Sequence, residues 1–128
     1  MAAIKGLYQE KDWKNEKHMP VLEVLNRGDG AVEVGAIVGK EIPHPNETKH
    51  HIEYIRLFFL PDEEKFPYLI GEHRFCAHGA SVEGPDNSTV YAEPRVTTAF
   101  KTEKKGKLIA ESYCNVHGLW TSDIVIEP

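Results

Sequence analysis

Histidines and one cysteine fall in three short, stiff pieces of this chain. They read E-K-H-M-P (Glu16 to Pro20), H-P-N-E-T-K-H-H (His44 to His51) and C-N-V-H-G-L-W (Cys114 to Trp120). Each piece sets imidazoles or a thiol beside Pro or Gly, which restrict the backbone or free it for tight turns. Nitrogen and sulfur donors on scaffolded loops are what a transition metal binds.

Each piece has its own logic. Cys114-x-x-His117 is a close chelating pair, and Gly118 lets the chain turn back at positive φ. Alone, such a pair is more often structural, because buried cysteine is common. In Pro43-His44-Pro45 both prolines fix φ, and Pro45 biases His44 to an extended backbone. His44 is thereby held ready at low entropic cost. His50 stands at the mouth of the strand that begins near Ile52. Its neighbour His51 points the other way by strand alternation, so His50 is the expected ligand and His51 a supporting or surface residue. Glu16, Lys17 and His18 place an acid, a base and an imidazole together; alone they would read as an exposed charged loop. Every piece lies at the edge of an expected strand, so one end of a β structure can gather them all.

The elements that must position these groups are strands. Ala31 to Val38 alternates, with Val32, Val34, Ala36 and Val38 on one face. Ile52 to Leu60 is rich in β-branched and aromatic residues, Val96, Thr98 and Phe100 alternate, and so do Ile124 and Ile126. Val21 to Leu25, Tyr68 to Ala77 and Leu108 to Tyr113 bring the candidate strands to seven. Turn residues separate them at Arg27 to Gly30, Leu60 to Asp62, Glu83 to Asn87 and Lys104 to Lys107. The only helical expectation is a short turn near Asp12 to Glu16. The class is all-β: a seven-stranded immunoglobulin-like sandwich or small barrel.

Bulk properties bound the rest. The 128 residues suit a single domain, 1–128, and the 41% hydrophobic and 27% charged fractions are ordinary for a globular protein. A net charge of −5 argues against a nucleic-acid binder. No apolar leader precedes Trp13 and no run is long enough to span a membrane, so cytoplasmic residence is expected. Two cysteines, Cys76 and Cys114, are too few for a disulfide scaffold. Cys76 reads as a small buried hydrophobe, His73 and His78 as part-buried structural histidines, and the lysines of Lys101 to Lys107 as a solvated turn.

Together the pieces resemble the superoxide reductases, the neelaredoxin and desulfoferrodoxin family. The resemblance rests on G-K-E-I-P-H-P-N (Gly39 to Asn46), H-H-I (His50 to Ile52) and C-N-V-H-G-L-W, in that order. It implies a mononuclear non-haem iron bound by four equatorial histidines, His18, His44, His50 and His117, and by the axial thiolate of Cys114. It further implies that Glu16 takes the sixth position in the oxidised state and that Lys17 attracts superoxide. The activity implied is reduction of superoxide to hydrogen peroxide, with rubredoxin as electron donor and a homotetrameric assembly. No cysteine precedes Cys76, so the short single-iron type, without an N-terminal rubredoxin-like domain, is expected. Asn115 and the backbone near Cys114 are candidates for N–H bonds to the sulfur. Two other readings stay open. One is a superoxide dismutase-like activity at the same iron. The other is a non-enzymatic metal-binding β-sandwich, for which four His and one Cys suit four-coordinate zinc poorly.

Overall fold

The computed structural model describes residues 4–10 and 17–128. Seven strands follow a 3₁₀ turn at Ile4–Leu7: β1 (Pro20–Gly28), β2 (Ala31–Val38), β3 (Ile52–Pro61), β4 (Tyr68–Arg74), β5 (Arg95–Lys101), β6 (Gly106–Cys114) and β7 (Gly118–Ile126). They form two antiparallel sheets, ordered β1-β2-β5 and β4-β3-β6-β7. All seven strand expectations are met. The helical turn expected over Asp12 to Glu16 lies outside the described residues.

The two sheets pack as an immunoglobulin-like sandwich because their strands alternate. On β2 the inward set is Val32, Val34, Ala36 and Val38; on β3 it is Ile55, Leu57 and Phe59; on β6 it is Leu108 and Ala110. These side chains, with Leu22, Phe75, Cys114 and Ile126, form one buried cluster drawn from both sheets. Each large aliphatic member contributes about 1.5–3 kcal/mol by leaving water. Cys114, at the end of β6, belongs to this core. One of the chemistry-bearing pieces is therefore anchored directly in the packed interior.

One expectation is corrected just past the end of β4: Phe75 is buried, whereas its neighbour Cys76 is exposed, not buried. Both cysteines are free. His73 is exposed on β4. The lysines at 101, 104, 105 and 107 are exposed; Lys104 meets Glu64 at 2.7 Å and Lys105 meets Glu127 at 3.7 Å. Among the described residues, no helix is long and apolar enough to cross a membrane.

Register fixes which strand ends coincide. The start of β1 pairs with the end of β2 through Pro20 and Val38. The start of β3 pairs with the end of β6 through Ile52 and Cys114, and Cys114 pairs with Gly118 at the start of β7. The two sheets are joined at this end: Ser122 Oγ donates to the Pro20 carbonyl at 2.6 Å, and Ser112 Oγ donates to the His18 carbonyl at 3.4 Å. All three chemistry-bearing pieces emerge here.

Candidate metal centre

His18, His44, His50 and Cys114 each bring one nitrogen or sulfur atom to a common point, and these atoms lie within 4.8 Å of one another. Three separate stretches of chain supply them. His18 precedes β1, His44 and His50 sit in the connection from β2 to β3, and Cys114 ends β6.

His44 is aimed by its local backbone. Gly39 closes β2 at φ +88°, and a Cβ there would stand 2.6 Å from the His44 amide nitrogen. The chain can thus fold back tightly onto the residue that carries the imidazole. Nδ1–H of His44 donates to the Pro45 carbonyl at 2.6 Å, which leaves Nε2 as the lone-pair nitrogen, 3.6 Å from Cys114 Sγ. Tying one ring nitrogen to a carbonyl is how metal-ligating histidines are commonly oriented. Burial, and then the charges of His18, His50 and Lys17, lower the His44 pKa to about 4, so the ring is neutral at pH 7 and free to bind a cation. Burial likewise lowers the pKa of His50.

His50 closes a two-residue turn with Glu47: each backbone N–H donates to the other's carbonyl, at 2.9 and 3.1 Å. Its Nε2 is buried and has no hydrogen-bond partner among the described residues. A buried polar atom in that state costs free energy unless something fills its lone pair. His51 is the opposite case. Its Nδ1 lies 2.8 Å from the Glu47 carbonyl oxygen and its Nε2 lies 2.7 Å from Glu53 Oε1, so both nitrogens face acceptors. This supports His50 over His51 as a donor.

His18 is buried, and its ring stacks on Trp120 at 4.9 Å and 13°. His117 is exposed and belongs less tightly to the cluster. Its Nδ1 lies 3.0 Å from His18 Nε2 and 3.8 Å from Cys114 Sγ. Gly118, at φ +81°, closes the turn that holds it. The His117 backbone N–H donates to Cys114 Sγ at 3.3 Å. Asn115 plays a different part from the sulfur donor that its position suggested. Its backbone N–H donates to the His51 carbonyl, its Oδ1 accepts from the His51 N–H, and its Nδ2 donates to the Lys49 carbonyl. It thus grips the chain on both sides of His50, contacts that sequence alone does not reveal. Lys17 is partly exposed, and its charge reaches both His44 and His50. Glu16 lies outside the described residues.

The donor set fits a transition metal. Imidazole nitrogens and a cysteine sulfur converge, one of them a buried nitrogen without a hydrogen-bond partner among the described residues, and the set exceeds what four-coordinate zinc uses once His117 is counted. The family match points the same way, since the desulfoferrodoxin family profile matches residues 10–123. The chain belongs to the desulfoferrodoxin family. Among family members, the superoxide reductase of Pyrococcus furiosus is 56% identical over 116 residues, 91% of this chain and 93% of its own. The neelaredoxin of Megalodesulfovibrio gigas is 44% identical over 118 residues, 91% of each chain. The structure of the Archaeoglobus fulgidus superoxide reductase (neelaredoxin) in its reduced form superposes with a TM-score of 0.92 at 56% identity, covering 95% of this chain and 99% of that one.

Proposed function

We propose that this chain is a superoxide reductase working at a mononuclear non-haem iron. The observation that carries the reading is the convergence of His18, His44, His50 and Cys114 donors within 4.8 Å at one end of a sandwich whose relatives bear that name. The proposed ligands are these four with His117, and Glu16 as a further one from the segment outside the described residues. Superoxide gains one electron and two protons to become hydrogen peroxide; an iron held by these residues would supply the electron, and a redox donor would restore it.

The protein's own groups prepare that transfer. Lys17 places a positive charge beside the donors, so an anion is drawn in although the whole chain is acidic. The buried Cys114 sulfur donates electron density when ionised, and the His117 N–H aimed at it tempers that donation. Lys17 and Glu16 are the groups proposed to move protons at the mouth of the site. The proposal further takes the chain as one domain over residues 1–128, cytoplasmic, homotetrameric and served by rubredoxin. The single buried cluster supports the first of these. Light scattering reads the assembly, and oxidation of reduced rubredoxin in the presence of superoxide reads the donor.

The test is metal analysis with an optical titration. Aerobically purified protein is expected to carry about one iron per chain, with a visible thiolate-to-iron band that is bleached by a mild reductant and restored by superoxide. Protein that holds only zinc and takes up no iron after reconstitution overturns the enzyme reading. Lys17→Ala is expected to slow the bimolecular reaction with superoxide by about tenfold and to flatten its dependence on ionic strength. A rate and salt slope equal to those of the unmodified protein would remove Lys17 as the steering charge.

A further inference from the structure

His78 has no part in the chemistry above, yet it reaches three residues of the segment that carries His44 and His50. Its Nδ1 lies 3.0 Å from Asn46 Oδ1. Its carbonyl accepts from Thr48 Oγ1 at 3.1 Å. Its ring lies flat on that of His51, with centroids 3.5 Å apart and planes within 6°. His78 is itself anchored, for its Nε2 lies 2.6 Å from the Phe75 carbonyl oxygen; a neutral ring has one N–H, which either that carbonyl or Asn46 Oδ1 accepts. Phe75 is a core residue whose N–H donates to the Glu53 carbonyl of β3 at 2.9 Å.

The stretch around His78 is built to bear load. It folds back on itself through Ala92 N–H to the Ala77 carbonyl, 2.8 Å, and Gly79 N–H to the Val90 carbonyl, 3.1 Å. From its far arm the Ala92 carbonyl accepts from Asn46 Nδ2 at 2.9 Å, and Asp86 Oδ1 accepts from the Thr48 N–H at 2.8 Å. Residues 75–92 thus form a brace seated against residues 46–51.

We propose that His78 is a positioning residue for the metal centre: by pinning Asn46, Thr48 and His51 it holds the backbone between His44 and His50 where both imidazoles reach Cys114. The inference rests on the reading of that donor cluster as a metal site. Its physical content is preorganisation. A segment ordered during folding costs nothing further when the metal arrives, whereas a loose one must be ordered at that moment and the affinity falls. Removing His78 therefore weakens metal binding beyond any general loss of stability.

The experiment compares wild type, His78→Ala, His78→Phe and Thr48→Val in apo form and after anaerobic titration with Co²⁺. His78→Phe keeps a flat ring against His51 but loses both ring nitrogens. Thr48→Val removes the hydroxyl that bonds the His78 carbonyl and, on the same brace, Asp86. His78→Ala is expected to raise the Co²⁺ dissociation constant at least about tenfold, with smaller rises for the other two. The stabilisation that the metal confers, read as metal-loaded minus apo Tm, shrinks in the same order. Titrations that superimpose on the wild type overturn the proposal. So does an equal loss of Tm in apo and loaded protein at unchanged affinity, which marks a merely structural residue. Should His78→Ala fail to fold, unchanged affinity in Thr48→Val and His78→Phe overturns it alone. Wild-type protein that takes up no Co²⁺ overturns the metal-site reading, and with it this inference; a wild type that binds normally beside unaffected variants overturns the inference only.

Discussion

Cys114→Ser in iron-loaded protein is expected to abolish the visible thiolate-to-iron band and to lower superoxide reduction by on the order of a hundredfold or more, the scale of losing one preorganised charge-stabilising group. The substitution isolates the electronic contribution of sulfur. Serine is close to cysteine in size, and the pocket around Sγ already offers the His117 N–H as a partner for a hydroxyl. Because Cys114 is only 1% exposed and its backbone pairs with both Ile52 and Gly118, the sheet holds the position whatever the side chain. The histidine donors remain, so iron is retained at reduced affinity while its colour and reactivity change. Far-ultraviolet circular dichroism and the Tm of the apo variant check that the fold survives. An iron-loaded variant with the wild-type spectrum would show that Cys114 is not a ligand, leaving its proximity of 3.6 Å to His44 Nε2 a matter of core packing.

Much of this architecture is legible in the sequence because its strands obey a period of two. The alternation in Ala31 to Val38 predicts the buried face of β2, and the same rule separates His50 from His51. The rule does not reach Cys76. The strand ends at Arg74, so treating Tyr68 to Ala77 as one strand put inside a small apolar residue that the chain beyond β4 leaves exposed. The proposed donors are legible because Pro and Gly flank them and because each lies at a strand edge. What holds the donors is not legible. Asn115 bonding on both sides of His50, and His78 spanning Asn46 to His51, depend on contacts between residues tens of positions apart. No local pattern encodes such pairings; register and loop packing set them. His117 shows the limit of motif reading differently. Its spacing from Cys114 marks it as a donor, yet it stands exposed beside the tighter group of four.

Gly39→Ala is expected to destabilise the apo protein by about 2–4 kcal/mol, a fall of roughly 10 °C in Tm, and to weaken metal binding as well. Two costs add at this position. The first is backbone strain, because φ is +88° and an L side chain there costs about 1–2 kcal/mol. The second is a collision, since the new Cβ would lie 2.6 Å from the His44 amide nitrogen and 3.3 Å from two Pro43 atoms. Those neighbours are backbone, held by the two prolines, and they cannot swing aside as a flexible side chain does. Relief comes only by moving the Pro43-His44-Pro45 piece, and with it the imidazole. Gly30 provides the control. Its φ is +78°, but nothing lies within 4 Å of where a Cβ would stand, and it sits in the β1–β2 turn at the opposite end of β2. Gly30→Ala therefore carries the strain without the collision, and is expected to cost about 1 kcal/mol while leaving Co²⁺ affinity unchanged. Equal losses of stability in the two variants, with equal metal affinity, would mean that strain alone governs position 39 and that the close approach of Gly39 to His44 does nothing to aim the ligand. A larger loss at Gly39 accompanied by weaker Co²⁺ binding would tie a single added methyl group to the displacement of His44.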